Sequence, residues 1–416
     1  MTETRGTRRP AVHQVLATLG YGDAIGHEVL GIQRVLTRAG FRSKIIVETA
    51  DPRLEDLTVD YRDMVKEIGA DDLLIHHFSL GSRASRTAFA LPCRMMLVYH
   101  NITPPEYFLG VHEQLVRQCF YGRRELLPYR SRCELAVGDS EFNRQELAAL
   151  GFPRTAVLPV VPDFSHLDVT PDTRVLDAYD DDWTNLLFVG RLIPNKRPDN
   201  LIRIAHAYQS TYNHRTRLLL AGSHGGFETY LAQLHTLTAT LGVTDIEILG
   251  HVTDEELTAL YDVADVFVSA SEHEGFSVPP IEAFYKGVPV VALAATAVPD
   301  TMDGGGILYD GADPAHVAGI VNRLLSNPAL EAEVLAKQDA ALGRLKAKDF
   351  DGLVLKFVNQ ALEAPRLSAP AVAQDFWRQF ALAEELETIR QVRPSAFKAL
   401  PLAPDAGHVS DLGHRK

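Results

Sequence analysis

One rhythm limits what this chain can become: short apolar runs alternate with helical spacing, the alternation stops, and then it restarts. The apolar run Val12 to Leu19 meets a glycine-rich turn, "GYGDAIG". Val29, Leu30, Ile32, Val35 and Leu36 then recur at helical spacing, Gly40 closes the helix, and "KIIVE" is a second extended run. "DLLIHHF" (72–78), "RMMLVYHN" (94–101), "CELAVGDSEFNRQELAALGF" and "AVLPVV" (156–161) continue the pattern, with Ser140 as an N-cap. From 163 to 185 the chain turns acidic and loses its period, which reads as a linker. The pattern then resumes with "NLLFVGRL", "RLLLAGS", "IEILGHV", "DVFVSAS" and "PVVAL", each separated by a helical stretch. Thr253 and Glu256 form the signature of a capping box ahead of one of these helices. Apolar strands alternating with helices make a parallel sheet covered on both faces. Two such runs in 416 residues predict two Rossmann-like, doubly wound α/β domains.

In that architecture ligands gather beyond the carboxyl ends of the strands, so the residues just after each strand carry the functional reading. After "NLLFV" come Gly190, Arg191, Lys196 and Arg197, three cations within seven residues of a chain whose net charge is −13. A guanidinium and an ammonium suit a diphosphate; a solvated basic loop is the plainer alternative. After "DVFVSAS" comes "EHEGFSVPPIEAF", in which Pro279-Pro280 starts a helix. Gly275, Phe276, Ser277 and Val278 form the turn before it, with amides free to meet oxygen atoms. Glu274 stands in the loop and Glu282 one turn into the helix, two carboxylates able to grip vicinal hydroxyls. Glu282 could also be simply a favourable first-turn acid. His100 ends one strand of the first half, and His76 and His77 end another, where a packed histidine is the ordinary outcome and a metal ligand the rarer one. "GYGDAIG" with Glu48 at the end of the next strand also fits a loose NAD fingerprint.

Composition excludes other classes. The acidic balance argues against nucleic acid as a partner. Three cysteines, Cys93, Cys119 and Cys133, without ligand spacing suit a reducing compartment. Neither a signal peptide nor an 18-residue apolar stretch is visible, so a cytoplasmic protein is expected, with peripheral contact at the inner face of a membrane left open.

"SEHEGFSVPPIEAFYKGVPVVA" resembles the E-x7-E segment of the retaining nucleotide-sugar glycosyltransferases of family 4, which have the GT-B fold of two Rossmann-like domains facing across a cleft. "FVGRLIPNKRPDNLI", "GHVTDEELTALYDVADVFVSAS", "YHNITPPEYF" and "TLGYGDAIGHEVLGIQRVLTRAGF" are similar to further segments of that family, in family order. The resemblance implies an acceptor-side domain over 1–165, a linker over 166–183 and a nucleotide-sugar domain over 184–365. A helix over 366–393 would pack back on the first domain, and 394–416 would form a disordered tail. It implies that Arg191 and Lys196 hold the donor diphosphate, a UDP- or GDP-linked sugar, with Gly190 beside them. Glu282 would take the ribose, Glu274 and the amides of Gly275 to Val278 the sugar, and His251 and Val252 the base. His100 would lie near the reacting centre. The acceptor would be a carbohydrate, lipid-linked or small molecule, with no cofactor and no metal, in bacterial polysaccharide or glycoconjugate synthesis. Asp23-Ala24 stands where many relatives carry a glycine pair in the first loop. The rivals are an NAD-dependent oxidoreductase and a non-catalytic nucleotide-sugar binder.

Overall fold

The computed structural model describes residues 10–160, 163–311 and 313–367, together with 394–395. The helix expected at about 371–391 and, apart from that pair, the tail after it lie outside the described residues.

Strands β1 (Val12–Leu19), β2 (Ile45–Ala50), β3 (Thr58–Asp60), β4 (Leu73–Phe78), β5 (Arg94–Tyr99), β6 (Leu135–Gly138) and β7 (Thr155–Val157) form one parallel sheet in the order β3-β2-β1-β4-β5-β6-β7. The second sheet contains β8 (Thr184–Val189), β9 (Thr216–Ala221), β10 (Ile246–Gly250), β11 (Val266–Ser269), β12 (Val290–Leu293) and β13 (Ile307–Tyr309). Its order is β10-β9-β8-β11-β12-β13, again parallel throughout. β4 is buried at every position, as a strand covered on both faces must be.

The helices of the first half are α1 (Ala24–Arg38), α2 (Met64–Glu67), α3 (Arg83–Phe89), α4 (Glu113–Leu126) and α5 (Glu141–Ala149). Between the sheets lies α6 (Thr173–Tyr179), and the second half carries α7 (Pro198–Thr211), α8 (Glu228–Leu241), α9 (Asp254–Asp262), α10 (Pro279–Tyr285) and α11 (Val298–Met302). Three more follow: α12 (Pro314–Leu325), α13 (Pro328–Lys346) and α14 (Phe350–Glu363). Local chemistry sets their ends. Ser140 caps α5 through Asn143 N, and Thr253 with Glu256 closes the capping box on α9. The double proline opens α10.

Three expectations need correction. The acidic stretch after 163 is not featureless: Asp172 accepts from Arg174 N and Val175 N and so starts α6, which packs on α9. The strand expected over 156–161 is only Thr155–Val157. The last helix, α14, does not belong with the second sheet. Val354, Phe357, Val358 and Ala361 are buried with Val12, Ile75, Met96 and Val98 of the first, so the chain returns to its starting domain.

Each sheet has one point where chain order reverses, between β1 and β4 in the first and between β8 and β11 in the second. The loops leaving these strands diverge to opposite faces and open a crevice there. The basic loop follows β8 and the glutamate loop follows β11, so segments about 80 residues apart in sequence become neighbours.

Candidate active site

At the crevice of the second sheet the backbone comes first. Gly190 has φ 150° and Gly222 φ 149°, and a Cβ on Gly222 would collide with the Gly190 carbonyl. Only glycine lets the two loops approach so closely. Beyond Gly190, Arg191 projects from the loop with its guanidinium 5.7 Å from the Phe227 ring centre. No carboxylate pairs with it among the described residues, and desolvation lowers its pKa. Lys196 is bound to Glu274, its neighbour across the switch point. Arg197 is committed elsewhere: it adopts φ 52° at the start of α7 and pairs with Asp199 at 3.0 Å and with Glu272. Of the three cations foreseen in this loop, Arg191 lies over Phe227, Lys196 reaches Glu274 and Arg197 fastens the loop down.

Glu274 is buried; its backbone N–H donates to Thr296 Oγ1 at 2.8 Å. The turn after it includes Ser277 at φ 78°, and the Phe276 carbonyl accepts from Thr301. Glu282 is also buried, with both oxygens occupied: Tyr261 donates its hydroxyl at 2.9 Å, and His166 Nε2 lies at 3.0 Å. That hydrogen bond raises the His166 pKa. His251 is exposed and Val252 half-buried just after β10, on the outer side of the same sheet edge.

The first sheet closes over this crevice. Ser140 donates to the Gly275 carbonyl at 2.8 Å, and Phe142 N donates to Asp300 at 3.1 Å. A Cβ on Gly275 would sit 2.8 Å from the His100 carbonyl oxygen, so the glycine lets the two halves meet. The His100 ring itself points inward. Its Nδ1 lies 3.0 Å from Asp139 Oδ2 and 3.7 Å from Glu28, and its Nε2 lies 3.0 Å from His77 Nδ1. Burial pushes its pKa down, but the neighbouring Asp139 and Glu28 prevail and raise it to about 9. Burial, followed by the charge of Asp139, pushes Glu28 up to about 8. Among the described residues Glu28, His100 and Asp139 are the group compact enough to surround a cation, with ligand atoms within 4.8 Å of one another.

The first loop departs from expectation. Asp23 turns back on α1 and accepts from Gly26 N at 2.5 Å. Gly20 has no Cβ to obstruct this carboxylate. Asp23 and Ala24 therefore present a capped, negatively charged helix start instead of free amides for a phosphate. The same cap argues against the NAD reading, and Glu48 is spent on Arg83 and the start of α3. His76 is packed against Ser85, and burial pushes its pKa to about 3.

Residues 174–340 match the family model of the glycosyl transferases group 1. O-antigen chain mannosyltransferase B of Escherichia coli is 30% identical over 274 residues, covering 63% of this chain and 68% of that protein. The chain belongs to the group 1 glycosyl transferases. D-inositol 3-phosphate glycosyltransferase of Acidothermus cellulolyticus is 36% identical over 157 residues, where the match spans 36% of this chain and 35% of the relative, about a third of its length. In shape, this glycosyl transferase resembles HepE of Anabaena in complex with UDP-glucose, with TM-score 0.64 at 18% identity over 85% of this chain and 99% of that one. Sucrose-phosphate synthase from Thermosynechococcus elongatus gives TM-score 0.63 at 15% identity over 84% and 98%. These likenesses establish the GT-B fold.

Some residues of this group 1 glycosyl transferase escaped sequence reasoning. His166 and Tyr261 complete the Glu282 site from the linker and from α9. Glu28 and Asp139 flank His100, and Gln14 lies behind His77, the strand-end histidine that meets the other side of the His100 ring. The one available signal was polar residues in otherwise apolar strands: Gln14 in β1 and His77 in β4 are almost wholly buried.

Proposed function

We propose that this chain transfers a sugar from a nucleoside-diphosphate sugar to an acceptor hydroxyl with retention of anomeric configuration, in bacterial polysaccharide or glycoconjugate synthesis. The observation that carries the reading is the pairing of Lys196 with Glu274 beside an Arg191 that has no carboxylate partner among the described residues. Such a site holds one cation ready for an anion and a second in reserve.

On donor binding, the diphosphate takes Arg191 and draws Lys196 away from Glu274. Glu274 is then free to accept from hydroxyls of the sugar. The leaving diphosphate gains negative charge as the glycosidic bond breaks, and two fixed cations stabilise it without reorganisation. No divalent ion is needed for that charge, so the proposed reaction is metal-independent and uses no cofactor. Glu282 takes the ribose, with Tyr261 and His166 orienting it. The departing phosphate oxygen accepts the proton of the attacking hydroxyl on the same face, which preserves configuration. Contacts such as Ser140 to Gly275 keep water from the donor while the cleft is closed.

The donor is UDP- or GDP-linked. HepE was crystallised with UDP-glucose, and one relative is a mannosyltransferase, so UDP-glucose and GDP-mannose head the test panel. The proposed location is the cytoplasm, in contact with the inner face of a membrane. Phe120 on α4 and Leu127 just after it are exposed, and Arg124, over the Phe120 ring, and Arg130 add positive charge there to an acidic protein. No helix among the described residues is long and apolar enough to cross a membrane. The deciding experiment incubates the protein with the panel of nucleotide sugars and a polyol acceptor, and measures nucleoside diphosphate release. Release from none of them refutes the reading.

A further inference from the structure

Hydrogen-bond direction can be traced through the interior of the first domain without reference to any ligand. Gln33 Nε2 donates to the Ser43 carbonyl at 3.0 Å, which leaves Gln33 Oε1 as an acceptor. Gln14 Nε2 donates to that oxygen and to the Val29 carbonyl, both at 3.1 Å. Carbonyls only accept, so these anchors fix the orientation of both amides. Gln14 Oε1 is then the atom that meets His77 Nε2 at 3.0 Å, and His77 must donate there.

His77 is buried with no carboxylate on its ring, and its pKa is lowered well below the usual value by burial and by the adjacent His100. It is therefore neutral, and its Nδ1 is a lone pair. His100 Nε2, 3.0 Å away with ring planes 7° apart, must supply the proton. On the opposite side of that ring, Nδ1 faces Asp139 and Glu28. A bare nitrogen lone pair 3.0 Å from the Asp139 oxygen would repel it, so Nδ1 carries a proton as well.

We infer that Gln14 and His77 are positioning residues that hold His100 as a doubly protonated imidazolium on Asp139, a fixed positive charge directly behind the glycine turn of the donor site. Gln33 and Gln14 set the tautomer of His77, and His77 sets the donor role of His100 Nε2. Asp139 accepts a hydrogen bond from the second N–H, at Nδ1. The groups facing His100 are Asp139 after β6, Glu28 on α1, Asp23 in the first loop, and His77 and His76 on β4. Three carboxyl groups against one imidazolium leave this pocket tolerant of a further proton, which Glu28 carries.

This arrangement assigns His100 a different part from direct contact with the sugar. Both ring nitrogens are already committed, and what reaches the donor turn is its carbonyl and its field. The consequence for turnover rests on the sugar-transfer reading; the protonation pattern does not.

The test is ¹⁵N spectroscopy of histidine-labelled full-length protein, with His100 and His77 assigned by difference from single variants. Between pH 6.5 and 8 both ring nitrogens of His100 should carry protons, and His77 should be protonated at Nε2 alone. Gln14→Leu removes the lock on His77, and the proton affinity of His100 should fall about tenfold, one pH unit, as one hydrogen bond to the charged form is lost. A merely structural glutamine would leave that titration unmoved. One bare nitrogen on His100 at pH 7, or stoichiometric metal bound at Nδ1 in the protein as isolated, overturns the inference. The wild-type spectrum separates these outcomes even if a variant does not fold. Absence of sugar transfer alongside the expected spectrum would sink the functional reading and leave this one standing.

Discussion

Replacing Arg191 with alanine is the cleanest perturbation of the proposed donor site. The guanidinium has no carboxylate partner among the described residues, so its removal strands no buried charge. Its contact with Phe227, 5.7 Å from the ring centre, is worth about 0.5–1 kcal/mol at an accessible site, which sets a small stability cost. For a chain of this size that is a drop of roughly 4 °C or less in Tm. The catalytic cost is larger. A fixed donor aimed at developing charge contributes about 2.7–4 kcal/mol. At 1.36 kcal/mol per factor of ten, Arg191→Ala should lower kcat/KM by roughly 100- to 1000-fold. Arg191→Lys keeps the charge without the fork and should fall between. Lys196→Ala differs because it leaves Glu274 buried and unpaired. It should lose stability as well as rate, and Glu274→Gln in the same chain should recover the stability alone. Nucleoside diphosphate release, with a thermal melt of each variant, measures both quantities. An Arg191→Ala protein that melts normally and turns over within threefold of wild type would refute the assignment.

Glu282→Gln should mainly raise the donor KM, since ribose does not change during the reaction, whereas Glu274→Gln should mainly lower kcat; steady-state kinetics with varied donor separates them. Calorimetric titration of the nucleoside diphosphate into Glu274→Gln should show tighter binding than in wild type, because Lys196 is then unopposed. Activity should persist in EDTA, and complete loss restored by Mn²⁺ or Mg²⁺ would end the metal-independent mechanism. Glu28 is held neutral up to about pH 8, so the folded protein carries a proton that the unfolded chain releases near pH 4.5. This contribution is complete below 4.5 and is lost as pH rises through 8, at up to about 1.4 kcal/mol per pH unit. His100, raised to about 9 from 6.5, adds a loss of the same sign between those values. Tm should therefore fall from pH 6.5 to 9, and Glu28→Gln should flatten the fall.

The proposed donor half of the site was readable because its parts are local. Gly190, Arg191 and Lys196 follow one strand directly, and Glu274 to Glu282 follow another, so strand ends alone pointed to them. Their mutual contact then required only the reversal of strand order at β8 and β11. The surroundings of His100 were not readable in this way. Gln14, Glu28, His77 and Asp139 come from β1, α1, β4 and the end of β6, and each looks like an isolated polar residue until the order β1-β4-β5-β6 brings them together. His166 was hidden for a different reason. It lies in a segment without period, and what fixes it is tertiary: Phe164 stacks on Tyr285 at 4.4 Å, Tyr285 donates to Asp168 at 2.6 Å, and His166 reaches Glu282 between them. Asp23 was found but its role was not. A carboxylate at a helix start is either a ligand group or a cap, and only the 2.5 Å bond to Gly26 decides between them.

The two crevice edges neutralise themselves in opposite ways, and this bears on how a donor enters and a product leaves. On the second sheet, Lys196 and Glu274 cancel each other while the site is empty, which spares two buried groups the cost of unpaired charge. On the proposed reading a complete donor satisfies both: phosphate for the lysine, hydroxyls for the glutamate. A nucleoside diphosphate satisfies only the lysine and leaves Glu274 without its partner. The ion pair therefore discriminates against the product that remains after transfer, and its re-formation favours release. On the first sheet, carboxyl groups surround a single imidazolium that no substrate is required to displace. One charge set is exchangeable and the other fixed, which is the division expected when one domain must take up and discharge an anion while the other only holds its shape against it. Tighter nucleoside diphosphate binding by Glu274→Gln, with slower release in stopped-flow, is the consequence that tests this division. Unchanged affinity would mean that Lys196 and Glu274 separate without cost, and that the pair has no part in turnover.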